Sequence, residues 1–268
     1  MIKLRSRQYF GTSKATYVVG DLHITWSRYS NSTVLPLHCH EQRYMFITIR
    51  GGGVEHCRGR DFTCVRGTLV YNEAGEPHSD HFAASGVEGL NIELPFGWLE
   101  RFRAEVPRRH DAVAYHHAGT EITTLSSLEI ALCTPDALTR LGAEEAIVRL
   151  LRGLSLDSLA RGRADRRLHT VAKHLEAHFV SPGSLDEVAS MVGLHPSHLC
   201  RLFAERYGCT MTEYTRRVRT DAAATRVLNS TTELATVASE SGYADQAHMT
   251  REFRRFLGVT PGRIRAAS

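Results

Sequence analysis

The sequence lacks any apolar run near the ~20 residues that a membrane-spanning helix needs. Its start, Met1 to Phe10, is polar and basic, without the apolar core of a secretory leader. A cytoplasmic protein with no membrane partner is the expectation. Paired-cysteine signatures are missing too: Cys39, Cys57, Cys64, Cys133, Cys200 and Cys209 are scattered, with no CxxC spacing. In a reducing compartment this argues against a disulfide framework and leaves the cysteines as small buried hydrophobes. No low-complexity segment interrupts the chain.

Charge is present but unevenly placed. The net charge is +4 over 268 residues, and residues 166–268 alone hold 14 Lys and Arg against 10 Asp and Glu. The first 165 residues are therefore neutral. A basic segment behind a neutral one points to a polyanion partner for the former. The length favours two compact domains, expected at 1–155 and 166–268. A linker is expected at 156–165, within the Gly- and Arg-bearing run Gly153 to Asp165.

Residues 16–95 read as β. Gln42 to Arg50 is a strand candidate ended by Gly51-Gly52-Gly53, and Val54 to Cys57, Asp61 to Cys64 and Thr68 to Tyr71 follow at short intervals. Close spacing with glycine turns favours an antiparallel barrel or sandwich. After Pro95 the pattern changes. Phe96 to Glu105, Ile122 to Leu132 and Ala143 to Leu154 read as helices, the last with Ile147, Leu150, Leu151 and Leu154 at helical spacing. These accessory helices are expected to close the barrel core or to pair between protomers.

The C-terminal part is helical and contains an internal repeat. Leu185 to Gly193 and Leu234 to Gly242 share the pattern L-x-x-V-A-S-x-x-G, each followed by an Arg-x-Phe step, at Arg201 to Phe203 and at Arg251 to Phe253. Each copy reads as helix, tight turn, helix. Ser184 and Glu187 have capping-box spacing, Gly193 supplies the turn and Pro196 suits the next first turn. In the second copy Asp245 is the expected N-cap. Between the copies, Met211 to Leu228 reads as one helix of roughly 27 Å, with Tyr214, Val218, Ala222 and Thr225 as its less polar stripe. Such a rod suits two recognition helices held near one DNA turn apart. The motif implies double-stranded DNA as partner. Arg206, Arg216, Arg217, Arg254 and Arg255 are candidates for phosphate contacts, with His198 beside them.

This region resembles the AraC/XylS family of bacterial regulators over about 166–266. The resemblance rests on LDEVASMVGLHPSHLCRLFAERYGCTMTEYTRRVR and LATVASESGYADQAHMTREFRRFLGVTPGRIR. By position it implies base-reading roles for Ser197, Cys200 and Arg201 in the first copy, and for Gln246, Ala247, His248, Thr250 and Arg251 in the second. Cys200 and Ala247 stand where longer polar side chains are common in the family. The family often carries an N-terminal cupin-like barrel. Here His38-Cys39-His40 and the Gly67 to His78 spacing are similar to the two cupin metal motifs. That likeness implies His38, His40 and His78 as ligands for a divalent metal, with Zn, Fe, Ni and Cu all suited to three imidazoles. The cupin glutamate is missing near Tyr44-Met45, and His81 and Glu93 are the candidates for a fourth ligand. Trp26, Tyr29, Tyr44, Phe46 and Tyr71 are candidates to line a ligand pocket or to pack in the core. His116-His117 reads as a solvated loop pair.

The expected protein is thus α+β with two domains: a cupin-like antiparallel barrel with accessory helices, then an all-α domain with two helix-turn-helix units. The expected function is a sequence-specific transcription regulator whose barrel senses a small molecule or metal ion. A homodimer, and RNA polymerase as a partner if the protein is an activator, accompany that reading. The rival is a metal-dependent cupin oxygenase or isomerase fused to a DNA-binding tail. A repair protein with a reactive thiol would need an activated cysteine, for which the sequence offers no cysteine cluster.

Overall fold

A computed structural model describes residues 1–95, 97–98, 113–116, 123–133, 142–150 and 163–267. Among the described residues nine strands form one sheet: β1 (Ile2–Leu4), β2 (Thr12–Val19), β3 (Leu22–Tyr29), β4 (Val34–His40), β5 (Arg43–Cys57), β6 (Arg60–Val65), β7 (Thr68–Asn72), β8 (His78–Leu94) and β9 (Val113–His116). The main order is β1-β4-β8-β5-β7-β9, with β2 attached through β3 to β8 and β6 attached to β5. Strands β5 and β8 are long and pair antiparallel from Arg43 opposite Leu94 to Cys57 opposite His78. Each has a different second neighbour in its two halves. β5 takes β7 and then β6; β8 takes β4 and then β3. The sheet therefore curls on itself into a cupin-like half-barrel.

The curl is made where the sequence reading ended a strand. Gly51-Gly52-Gly53 lies inside β5, at register shifts against β8 between Thr48 and Arg50 and between Gly51 and Gly53. Gly51 has φ +71° and faces Gly86, at φ +68°. A Cβ on Gly51 would fall 1.9 Å from the Gly86 carbonyl oxygen. The glycines permit a bulge and close backbone approach rather than a chain break. Leu22, Ile24, Met45, Ile47, Ile49, Leu69, Leu90 and Ile92 are fully buried on this sheet, and the residues between them, such as Tyr44, Phe46, Thr48, Val70 and Asn91, are buried as well, so both faces are covered here.

The helices are α1 (Thr124–Cys133), α2 (142–150), α3 (Arg163–Ala177), α4 (Leu185–Met191), α5 (Pro196–Tyr207), α6 (Met211–Asn229), α7 (Leu234–Glu240), α8 (Gln246–Leu257) and α9 (Pro261–Ala267). The strands make one compact unit; α1 and α3 to α9 belong to a second. The helix expected over Ile122 to Leu132 forms as α1, but it packs with the helical unit. Its Ile130 shares a core with Ala223, Val227 and Phe253, and Ser126 Oγ donates to Asp221 Oδ1 at 2.5 Å. Its Ser126 thus finds a hydrogen-bond partner on α6. The helix expected over Ala143 to Leu154 is present as α2 through residue 150; Ala143, Ala146, Ile147 and Leu150 are buried. The rest of it, the helix expected beyond Trp98 up to Glu105, and the linker up to Gly162 lie outside the described residues. His116 lies on β9, while His117 is outside the described residues.

Two hydrophobic clusters divide the helical unit, one per helix-turn-helix. Leu168, Val171, Leu175, Val188, Leu199 and Phe203 form the first; Val227, Val237, Ala238, Met249, Phe253 and Ile264 anchor the second. Helix α6 serves both, with Tyr214 and Val218 in one and Ala223, Ala224 and Val227 in the other. Its buried stripe therefore departs from the expected Tyr214, Val218, Ala222 and Thr225 at the C-terminal end, where Ala222 and Thr225 are only half-buried. A single helix that packs into two cores must turn a different face to each. At 19 residues it spans roughly 28 Å.

Candidate nucleic-acid interface and barrel site

The two copies of the repeat fold to the same frame. In each, the alanine after the valine is buried and its carbonyl closes the turn: Leu194 N–H donates to Ala189 O at 3.0 Å, and Tyr243 N–H to Ala238 O at 2.9 Å. Gly193 and Gly242 hold φ +63° and +77°, a conformation that L side chains avoid. Leu199 and Phe203 in α5 match Met249 and Phe253 in α8, all fully buried. Burying those apolar faces forces the opposite faces of α5 and α8 outward. The expected capping box forms, with Ser184 N–H donating to Glu187 Oε2 at 2.7 Å and Glu187 N–H to Ser184 Oγ at 3.3 Å. Asp245 caps α8 through His248 N–H at 2.6 Å. The first unit's N-cap, His195, makes no side-chain cap.

On α5, Ser197, His198, Cys200 and Arg201 are exposed. The Arg201 guanidinium lies on Glu205 at 2.7 Å and near His198 Nδ1 at 3.2 Å. Both partners of that ion pair are more than half exposed, so it is worth about 0–1 kcal/mol and opens readily. On α8, Gln246, Ala247, Arg251, Arg254 and Arg255 are exposed, and His248 and Thr250 are half-buried. Thr250 Oγ1 donates to the Gln246 carbonyl at 2.8 Å, and the His248 ring stands edge-on to Tyr243. Arg206 lies beside the Tyr207 ring.

Arg216 and Arg217, expected as phosphate contacts, each pair with an acidic side chain. Arg216 grips Glu252 with two hydrogen bonds, Nε to Oε2 at 2.7 Å and Nη2 to Oε1 at 2.5 Å, and Glu252 is buried. This fork ties α6 to α8 and raises the Arg216 pKa. Arg217 pairs with Glu213 at 2.7 Å, which holds that carboxyl below its ordinary value.

In the barrel, β4 delivers His38 and His40 on one face, two residues apart, and the register of β4 with β8 sets His38 opposite His78. All three are buried, and one ring nitrogen from each lies within 4.8 Å of the others. His38 Nδ1 pairs with the Pro36 carbonyl at 2.9 Å and His78 Nδ1 with the Glu76 carbonyl at 3.0 Å. Each carbonyl takes an N–H, so the Nε2 lone pair is left free, which is how metal-ligating histidines are oriented. His40 Nδ1 is buried with no hydrogen-bond partner. Burial pushes the His40 pKa down to about 3 and His78 down to about 4, and lowers His38. Three neutral imidazoles with a vacant valence fit a divalent transition metal. Neither proposed fourth ligand joins them. Glu93 accepts from Arg7 N–H and from Ser6 Oγ, and His81 packs against His56.

Beside the triad is a cavity of about 10 Å³, lined by His38, His40, Tyr44, Phe46 and Asp80 among others. Tyr44 and Phe46 were expected there. Trp26 and Tyr71 are not in its lining; Tyr71 Oη donates to Glu73 Oε1 at 3.0 Å and Trp26 lies under Lys14. Residues not singled out from the sequence complete the interior. Asn91 accepts hydrogen bonds from Tyr29 Oη and Tyr44 Oη and donates to Ser27 Oγ at 2.7 Å. Glu55 stands opposite Asp80 across β5 and β8 and accepts from Asn72 Nδ2 at 2.9 Å. Burial raises the pKa of Glu55 to about 7 and that of Asp80 well above the ordinary range, with Glu55 adding to the latter.

Comparison with known proteins follows the same division. A family model described as a helix-turn-helix domain matches residues 188–267, and one described as an AraC-like ligand binding domain matches residues 24–154. The chain is 24% identical over 242 residues to the HTH-type transcriptional activator RhaS of Escherichia fergusonii, covering 86% of this chain and 87% of that protein. It is 24% identical over 279 residues to the HTH-type transcriptional activator RhaR of Escherichia coli, covering 98% and 96%. Among solved structures, ToxT from Vibrio cholerae is similar at 9% identity with a TM-score of 0.37, covering 92% of this chain and 98% of that one.

Proposed function

The chain belongs to the AraC/XylS family of DNA-binding transcription regulators, which are not enzymes, and from that premise we propose which residues read DNA and what the barrel answers to. The carrying observation is that one frame is repeated twice on α6, each copy with its apolar face buried and a polar face exposed. The second unit carries the sharper readout. Gln246 suits an adenine edge, Arg251 a guanine edge and Ala247 a thymine methyl, with His248 and Thr250 beside them. The first unit reads through Ser197 and Arg201, the latter once it leaves Glu205; Cys200 makes no bidentate contact. His198, Arg206, Arg254 and Arg255 bind phosphates, which positions the protein without specifying sequence. Arg216 and Arg217 act one step back, by setting α8 and the start of α6. With α6 near the length of a DNA turn, one chain spans two successive major-groove segments.

The barrel is the effector site, with His38, His40 and His78 as ligands for a divalent metal. A bound metal would supply a fixed positive charge and a coordination position for a ligand atom. The chain's own residues keep the imidazoles neutral and orient two of them through the Pro36 and Glu76 carbonyls. An effector alters transcription only through different affinity for two states of the protein. A homodimer in the cytoplasm fits this reading, as does activation through RNA polymerase; the RhaS and RhaR names support the latter. The test is fluorescence anisotropy of the full chain on a selected operator across a salt series, with and without the metal found in the purified protein. Affinity should fall steeply with salt as counterions are released, and stripping the metal should change it. A flat salt response overturns the DNA contacts; indifference to the metal overturns the effector assignment.

A further inference from the structure

A second cavity, a cleft of about 630 Å³, lies at the bulge between β5 and β8. The space beside the histidine triad is about 10 Å³, room for the centre of one water-sized group. The cleft has the size of sites that take whole small molecules. Its exposed lining is polar: Arg28, Ser30, Asn31 and Ser85, with Arg50 half-buried beside them. The larger apolar side chains at its border, Tyr29 and Val87, are buried. Such walls suit a hydrophilic ligand.

The charges on its floor do not balance. Glu88 is buried and accepts on Oε2 from Lys14 Nζ at 3.0 Å and Arg50 Nη1 at 3.2 Å, and on Oε1 meets Arg28 Nη2 at 3.0 Å. Among the described residues three cations thus share one carboxylate, which leaves two positive charges over. A guanidinium has five N–H donors, and each of these two gives one to Glu88. Arg50 Nε is buried without a partner, where buried donors are ordinarily satisfied. The bulge makes this cluster. Thr48 pairs with Gly89, so uninterrupted pairing would set Ile49 opposite Glu88; the register shift sets Arg50 there instead. Arg28 faces the same Glu88 from β3. Bulges re-aim side chains in this way beside functional sites.

We propose that this cleft binds a hydroxylated phosphate monoester, such as a sugar phosphate, with its phosphoryl group on Arg28 and Arg50 and its hydroxyls on Ser30, Asn31 and Ser85. The site stands apart from the triad and does not depend on whether the histidines hold a metal. A phosphate monoester carries a charge of roughly −1.5 to −2 near neutral pH, which matches the surplus. Both guanidinium groups touch one carboxylate, so one phosphoryl group reaches both, and Arg is suited to forked contacts with phosphate oxygens. A dicarboxylate has the charge but divides it between two centres. A fatty acid finds little apolar wall. Glu88 offers the ligand no free oxygen, because both of its oxygens are taken by the three cations.

The experiment is calorimetry on the full-length protein in a phosphate-free buffer. Glycerol 3-phosphate, ribose 5-phosphate and glucose 6-phosphate are compared with inorganic phosphate, succinate and glucose. The tightest ester should bind about tenfold or more tighter than each of the three controls, and Arg28→Gln and Arg50→Gln should each cost it about tenfold. Equal binding of inorganic phosphate or succinate, unchanged affinity in the variants, or no binding of any ester overturns the proposal. If Arg50→Gln fails to fold, Arg28→Gln decides, since that side chain is 68% exposed. The DNA backbone carries the same phosphate chemistry, so operator affinity is measured as well, without ester. It should be unchanged in Arg28→Gln; a loss there, with no ester bound, would assign the cluster to DNA and overturn the proposal.

Discussion

In the helical unit, the side chains assigned to chemistry are outside. Gln246, Ala247 and Arg251 stand exposed on a helix whose other face, Met249 and Phe253, is fully buried. In the barrel the arrangement is reversed: His38, His40 and His78 are buried, and Glu55 with them. The outward groups keep their ordinary hydration and meet a partner as large as a DNA duplex. The inward groups are stripped of water, their ionisation is displaced, and they admit only something small. The difference separates recognition of a surface from recognition of a small species within one chain, and it can be broken at either end.

The largest expected effect lies beneath the outward face. Phe203→Ala and Phe253→Ala remove matched, fully buried rings and should each cost about 3–5 kcal/mol of stability, read as a lowered urea midpoint of the helical unit. A near-zero cost in either would break the equivalence of the two cores. Next comes the face itself. Arg251→Ala should weaken specific binding by about 1–3 kcal/mol with an unchanged melting midpoint. Cys200→Ala should change binding by no more than about 0.5 kcal/mol; a larger loss would move the readout to the first unit. Third, Asp245→Ala should cost about 1 kcal/mol of helix stability, seen by thermal melting, while His195→Ala, which removes no side-chain cap, should cost little.

The smallest signal is a slope with pH. Glu55, held up to about 7 by burial, binds a proton in the fold that it would release when unfolded near 4.5. Its contribution is therefore fully present below about 4.5 and is lost as pH rises through 7. Glu55→Gln removes that slope. The wild-type melting midpoint minus that of Glu55→Gln should fall between pH 5 and pH 7.5. A difference independent of pH would show that Glu55 is not the buried acid described.

The outward chemistry was legible in the sequence and the inward chemistry only in part. The repeat announced itself twice through L-x-x-V-A-S-x-x-G, and the capping residues Ser184 and Asp245 act within three residues of their partners. Local patterns serve when the physics is local. His38 and His40 were legible because alternation puts them on one face, and His78 because a spacing motif marked it. Asp80, Glu55 and Asn91 carry no such mark. Only the register of β5 against β8 brings Glu55 to Asp80, and only the curl brings Tyr29 and Tyr44 to one Asn91. The glycine run was read as an end because nothing near it in sequence reveals Gly86, 35 positions on from Gly51, as the backbone that it approaches. The fork of Arg216 on Glu252 was equally hidden, because the two lie 36 residues apart.

The central claim is that both helix-turn-helix units read DNA from one chain, the second more sharply. Selection and sequencing of bound duplexes, for the wild type and for Arg251→Ala, tests it most directly. The account predicts two conserved blocks about 10 base pairs apart, with preference lost in one block for the variant and kept in the other. A single block, or two blocks that Arg251→Ala leaves untouched, would contradict it.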